Sequence, residues 1–445
     1  MTIDAKGAIT FLGLMLLVLA LAPPAQATSG TLNITSDTTL TEDHYGSIVV
    51  DADGVTLDCA GFSVIGTNDS NGIVIDGHSG IAVRNCVVQQ FVYGIVVMNS
   101  SEGLLENNEA RWNGLSGIDV TGSVGVVVRQ NTMHENGFDA GYSGIDVEYG
   151  SSNIEVSGNT SWGNAGNGFY TFESSDLVFT NNVAYSNSQG FGLDAGTTDS
   201  LFSDNVVREN SGNGFGSVSS SGNRFIGNTA AGNALGGFSL HRSPSNVLEG
   251  NTITGNGDAV VIELSAANRL IDNDLTANGS GLLLIESRSN TVSRNTIQSN
   301  TGLETGWGIQ VHSSDRNVIE MNDVSGNLAD GIWLHVDSDY NVIRDNEIHS
   351  NGYTGMPIID GSDRNLVERN ISSHNGDAGF RIETSHNTLL SNHANGNASY
   401  GFWVLGSYNK LALNSACDNG SLDALQDVGT RGNVWKFNSF CTSQI

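Results

Sequence analysis

The sequence predicts an all-β chain wound as a right-handed parallel β-helix. We expect one solenoid of about 16 coils, with 22–24 residues and three short strands per coil. Three observations carry this. First, a column of Asn runs from Asn108 through Asn131, Asn159 and Asn182 to Asn438, in steps of 22 to 24 residues apart from 28 at Asn131–Asn159 and 27 at Asn295–Asn322. A second column stands five residues later, from Asn113 to Asn419, and a third five residues earlier, from Asn223 to Asn433. Asn85, and Asp58 before it, extend the first column backward. Second, the chain between the columns alternates apolar and polar residues, as in Asn341-Val-Ile-Arg-Asp-Asn346, and a period of two means strand. Third, Gly is 56 of 445 residues and Pro only 4, with no three-residue Gly period, which excludes collagen and Pro-rich disorder.

A three-strand unit this short cannot bury its own inner face, but coils stacked about 4.8 Å apart can. Asn suits the turns because its amide can bond backbone in the next coil, form amide ladders and tolerate left-handed conformations. The columns therefore read as scaffold. A propeller needs four antiparallel strands in about 40 residues, and a calcium roll needs Gly-Gly-x-Gly-x-Asp nonapeptides. Neither pattern is in the sequence.

Along the chain, residues 1–27 read as a signal peptide: an apolar run over 9–22, then Pro-Pro-Ala-Gln-Ala, with cleavage expected after Ala27. The run is short for a membrane span. The expected product is secreted, periplasmic or held at the cell surface, without stable membrane insertion. Residues 28–47 are expected to form an N-terminal strand and cap over the open sheet edge. Residues 48–445 are expected to form the β-helix as one domain. The net charge of −29 excludes a nucleic-acid partner, since the chain would repel phosphate.

The four cysteines fall in pairs. Cys59 and Cys86 follow Asp58 and Asn85, and Cys417 and Cys441 each stand three after a column Asn, so each pair shares a slot in adjacent coils. Positions about 4.8 Å apart suit a disulfide, and export allows oxidation. The expected bonds are Cys59–Cys86 and Cys417–Cys441.

Chemistry is expected on the strands led by Gly, such as Gly117-Ile-Asp-Val and Gly144-Ile-Asp-Val, whose third and fifth residues point outward. Those slots hold Asp119, then Asp146 and Glu148, then Tyr170; further on come His241, Glu263, His312, Trp333, His335, Arg381 and Trp403, with Arg242 just beyond. Clustered carboxylates suit Ca2+, or acid and base work on a glycosidic bond. Asp119, Asp146 and Glu148 are the candidate Ca2+ ligands, and no other cofactor is implied. His312 and His335 would stack one coil apart, with Asp337 near enough to orient one, as a general base or ligand. The candidate catalytic residues are thus Asp146, Glu148, His241, Glu263, His312 and His335. Exposed aromatics offer faces to sugar rings and arginines pair with uronates, so Tyr170, Trp333, Trp403, Arg242 and Arg381 are the candidate substrate contacts. Inserts near Phe138–Tyr142 and Leu303–Trp307 would wall clefts beside the first and third groups. A second outward stripe, Arg111, His134, Trp162, Tyr185 and Arg208, could equally line a ligand groove.

The recurring Asn-Val-Ile-x-x-Asn, Asn-Gly and Gly-Ile-x-Leu pattern, with the opening Val55-Thr-Leu-Asp-Cys-Ala-Gly-Phe-Ser-Val-Ile-Gly66, resembles the NosD-like right-handed parallel β-helix repeat proteins over nearly the whole chain after the leader. That wider group includes polysaccharide lyases, polygalacturonases, mannuronan epimerases, adhesins and NosD proteins linked to copper-enzyme maturation. The Asp-Pro-His signature of mannuronan epimerases and the paired-Asp and Gly-His-Gly signatures of polygalacturonases are missing, so the resemblance assigns no catalytic residue. It implies an exported protein that binds or processes carbohydrate, foremost an acidic polysaccharide, by lyase, hydrolase or epimerase chemistry if catalytic. A non-catalytic adhesion rod and a NosD-like accessory factor of a periplasmic copper enzyme remain the alternatives. The partner expected is a polysaccharide or other glycan.

Overall fold

The computed structural model describes residues 28–138, 141–302 and 305–445. The expected signal peptide lies outside the described residues, as do positions 139–140 and 303–304 of the two inserts. The described chain forms 56 short strands in three parallel sheets of 19, 19 and 18 strands, so about eighteen coils are stacked in one right-handed solenoid. Sheet I holds the strands that follow the first Asn column, such as Glu109–Arg111; sheet II holds the Gly-led strands, such as Ile118–Thr121; sheet III holds the strands before that column, such as Val127–Arg129. The stack already begins at Thr28, where Thr28–Ser29 pairs with His44–Tyr45 and Leu32–Ile34 with Ile48–Val50. These first coils lack the Asn columns, which is why the sequence period undercounts them. No helix among the described residues is long and apolar enough to cross a membrane.

Inward residues form one continuous core. In the middle of the solenoid it becomes aromatic: Phe169, Phe191, Phe215 and Phe238 stack along sheet II at 4.5 to 5.0 Å between ring centroids. A parallel file of Phe179, Phe202 and Phe225 meets them edge to face. Both arrangements are favoured by the ring quadrupole.

The Asn columns are buried ladders. Asn228, for example, donates through Nδ2 to Phe202 O at 2.8 Å and Asn251 Oδ1 at 3.1 Å, while its own Oδ1 accepts from the backbone N–H and the amide of Asn205, both at 3.0 Å. The left-handed turn position belongs to the residue before each Asn rather than to the Asn itself; Asp204, Met321 and Leu413 have φ of 54°, 54° and 57°. The amide ladder, not tolerance of left-handed backbone, is what selects Asn here. Gly leads the sheet II strands for a steric reason. A Cβ on Gly144 would come within 2.8 Å of Gly168 O and 3.0 Å of the Asn164 amide in the next coil.

Both disulfides are present, with Cα–Cα distances of 4.7 Å for Cys59–Cys86 and 5.2 Å for Cys417–Cys441. Register places Cys86, rather than Asn85, in the Asn108 slot: Val87 pairs with Glu109, and the Cys86 N–H donates to Asn108 Oδ1 at 3.0 Å. Asn85 occupies the preceding left-handed position, with φ of 55°. The first disulfide thus takes over the column where the Asn ladder stops.

Candidate active site

The strand Ile145–Glu148 lies between Ile118–Thr121 and Asn167–Phe172 in sheet II. Parallel register sets Asp119, Asp146 and Tyr170 in one row, and Thr121, Glu148, Phe172 and Asp194 in the next. Asp119 and Asp146 are therefore one step of about 4.8 Å apart, while Phe172 stands between Glu148 and Asp194. All of these side chains leave the outer face, as the alternation requires.

Outward is not exposed, however. The coil carrying Asp146 is lengthened, and Gly141 and Tyr142, just before its strand, lie against the sheet II face. Gly137 N–H bonds Asn113 O at 3.0 Å, and Gly166 N–H bonds Tyr142 O at 2.9 Å. These bonds hold Tyr142 over the acid row, its ring edge-on to Tyr93 at 6.1 Å. Tyr149 meets Phe172 at 5.3 Å on the other side. The result is a groove of two adjoining cavities of about 390 and 300 Å³, which share Tyr142, Glu148 and Tyr149.

Asp146 is 2% exposed, not solvated as its outward slot implied. Ser116 donates to its Oδ2, while Oδ1 is buried and unpartnered. Burial pushes the Asp146 carboxyl up to about 8, with Glu148 and Asp119 adding like-charge repulsion. Burial likewise raises Glu148 to about 7 and Asp119, which accepts from Thr121 at 2.8 Å, to about 6. Tyr170 donates to Asp194 at 3.1 Å, and burial beside that carboxylate raises the phenol. Asp119 and Asp146 are engaged with hydroxyls on separate elements. Among the described residues no three His, Cys, Asp or Glu side chains gather in a metal-ligating arrangement. The groove presents a neutral acid beside carboxyls that ionise near neutrality, which is the pairing used for proton transfer in both directions.

The other expected residues fall into separate groups along the rod. His312 and His335 are register partners, with ring centroids 4.7 Å apart. His335 Nε2 meets Gln310 Nε2 at 2.9 Å and His312 Nδ1 at 3.4 Å, and Asp337 bonds neither imidazole. Burial and the neighbouring His312 lower His335 to about 4, so it is neutral at physiological pH. Trp333 is not an open platform, because His335 stacks on it at 3.8 Å and Trp307 lies 5.2 Å away. Trp403 is similarly covered, by Arg381 at 4.9 Å and Tyr400 at 4.9 Å. Arg381 is paired with Glu383. His241 bonds Glu263 at 3.0 Å, while Arg242 stands exposed with no ion pair among the described residues. Eight register steps separate Asp146 from Trp333, about 38 Å. The candidates therefore do not form one site. On sheet I, His134, Trp162 and Tyr185 stack face to face, with Arg208 over Tyr185, which hides their faces from a ligand.

Tyr93, Tyr142, Tyr149 and Ser116 were not among the expected site residues. Tyr142 and Tyr149 had a signal in the sequence: one closes the insert and the other follows Glu148 directly.

A family model described as "Right handed beta helix region" matches residues 71–230 and 283–434. One described as "Periplasmic copper-binding protein (NosD)" matches residues 195–304. No curated protein matches the sequence. Among solved structures, the A-module of mannuronan C-5 epimerase AlgE4 from Azotobacter vinelandii aligns with a TM-score of 0.50 and 16% identity, covering 76% of this chain and 90% of that one. The periplasmic alginate epimerase AlgG aligns with a TM-score of 0.43 and 14% identity over 72% of this chain and 73% of that one. DFA-IIIase from Arthrobacter chlorophenolicus A6 aligns with a TM-score of 0.41 and 12% identity over 70% and 83%. At such identities the likeness is one of fold.

Proposed function

The chain belongs to the right-handed β-helix family, and from that premise we propose that it processes carbohydrate, with the Asp146 groove as its active site. The observation that carries this reading is the buried Asp146 carboxyl, with an unpartnered oxygen, in a tyrosine-walled groove beside Asp119 and Glu148. Raised to about 8, Asp146 is the proton donor to a glycosidic oxygen. Asp119, at about 6, is largely ionised at neutral pH and is the matching base for a water. Ser116 holds the donor in place. The expected acidic-polysaccharide substrate is a finer form of the same reading. The two disulfides suit an exported protein in an oxidising compartment.

The experiment is a turnover screen of the purified chain on charged and uncharged glycans, following reducing ends and unsaturated products. Activity lost in Asp146→Asn, a substitution close to isosteric, supports the assignment. Activity that survives it sends the chemistry elsewhere, and silence on every glycan sinks the reading.

The NosD match supports a second reading, an accessory role toward a copper enzyme. The matched span 195–304 holds one His, His241, and no Cys or Met, so it offers few copper ligands. Copper retained at submicromolar free metal would favour this role.

A further inference from the structure

The charge of the groove says which glycans it accepts. Its acids are Asp119, Asp146 and Glu148, and among the described residues no Lys, Arg or His lines either cavity. Beyond Tyr170 stands another carboxylate, Asp194. Arg111, on sheet I, is already held by Glu109 and Gln89. The acid cluster alone would not make a site. Asp146 adds an independent mark, since it is 98% buried by exposure, lines the larger cavity and leaves Oδ1 without a donor. A buried carboxyl oxygen in that state calls for a hydrogen-bond partner from a ligand, and the neutral Asp146 donates in that bond. Tyr93, Tyr142, Tyr149 and Phe172 supply apolar and aromatic wall.

We propose that the groove takes non-anionic glycans, whose hydroxyls exchange hydrogen bonds with its carboxyls, and rejects uronate and sulfated chains. This rests on the reading of the groove as a carbohydrate site. A sugar carboxylate placed here would face like charges in a half-enclosed space, without a cation to offset its lost hydration. Sugar hydroxyls meet the opposite situation, since they can donate to Asp119 and accept from Asp146. The expectation of an acidic polysaccharide followed from the fold group and from Arg242 and Arg381. Those arginines stand four or more coils away from the acid row, Arg242 on the His241 coil and Arg381 on the coil before Trp403.

The test uses the purified chain and length-matched oligosaccharides: xylan, cellulose, fructan and chitosan fragments against oligogalacturonate and oligoalginate. Binding and turnover are measured at 150 mM salt, with Ca2+ and with EDTA. The expected result is at least tenfold preference for a non-anionic ligand, lost in Asp146→Asn. Asp119→Asn with Glu148→Gln should narrow that preference several-fold by relieving repulsion. Preference for an anionic chain, including one that requires Ca2+ and disappears in EDTA, overturns the inference. If that anionic activity is still lost in Asp146→Asn, the active-site reading stands without it. If no glycan binds or turns over, both fall. A thermal melt of each variant separates loss of function from loss of fold.

Discussion

Asp119 and Asp146 are register partners in adjacent coils, so two carboxyls leave the same row of one sheet under the cover of Tyr142. Folding therefore places side chains side by side that repel when ionised. Burial raises Asp119, Glu148 and Asp146 to about 6, 7 and 8, so the native state keeps protons that the unfolded chain releases near pH 4. Stability contributed by these groups is then full below pH 4 and falls as pH rises through about 8. Between pH 5 and pH 9 the wild type should lose on the order of a few kcal/mol more than Asp146→Asn. Calorimetry of both proteins at the two pH values checks this, and parallel pH profiles would refute it.

The Asn ladder predicts a cost confined to position rather than to charge. Asn228→Ala strands the Phe202 carbonyl and the Asn205 N–H groups in the interior. The expected destabilisation is about 2–4 kcal/mol. Denaturant midpoints decide it, and a change under about 0.5 kcal/mol would mean that the ladder is not a source of stability.

The aromatic files predict a size dependence. Phe202 is stacked between Phe179 and Phe225, both at 5.1 Å, with Phe191 edge-on at 5.9 Å. Phe202→Ala should cost about 3–5 kcal/mol and Phe202→Leu markedly less. Equal losses for the two variants would indicate that volume is not what the core requires.

The disulfides predict local rather than global effects. Each closes one coil near an end of the stack, with separations of 27 and 24 residues. Paired Cys→Ser replacement should cost about 3 kcal/mol at either end. Because coils contact mainly their neighbours, hydrogen exchange should accelerate in the terminal coils and leave Phe202 and its surroundings unchanged. Exchange that quickens along the whole rod would contradict a stack held coil by coil.

Much of this architecture was legible because it repeats. The spacing of Asn205, Asn228 and Asn251 specifies coil length, ladder and register together, and the two cysteine pairs follow from the same count. The site was legible only in part, because it is where repetition fails. Asp146 sits in an outward slot, and period-two patterning cannot foresee a roof made by the irregular residues before it. Trp333 shows the same limit from another side. His335 stands two residues further along the same strand and on the same face, so its ring folds back over the surface that a sugar would use. Gln310, not Asp337, meets His335 because the neighbouring coil lies nearer than the following turn: Gln310 is the register partner of Trp333 and reaches His335 diagonally.

The ladder also bears on how such a chain can change over generations. Asn205, Asn228 and Asn251 occupy equivalent places at intervals of 23 residues and exchange the same bonds with their neighbours. Loss of one interval would bring Asn205 against Asn251, a partner chemically identical to the one removed. Duplication would insert another of the same kind. Length is thus a heritable variable with a natural increment, adjustable by short in-frame duplication or deletion, while the lengthened coil that roofs Asp146 is inherited intact.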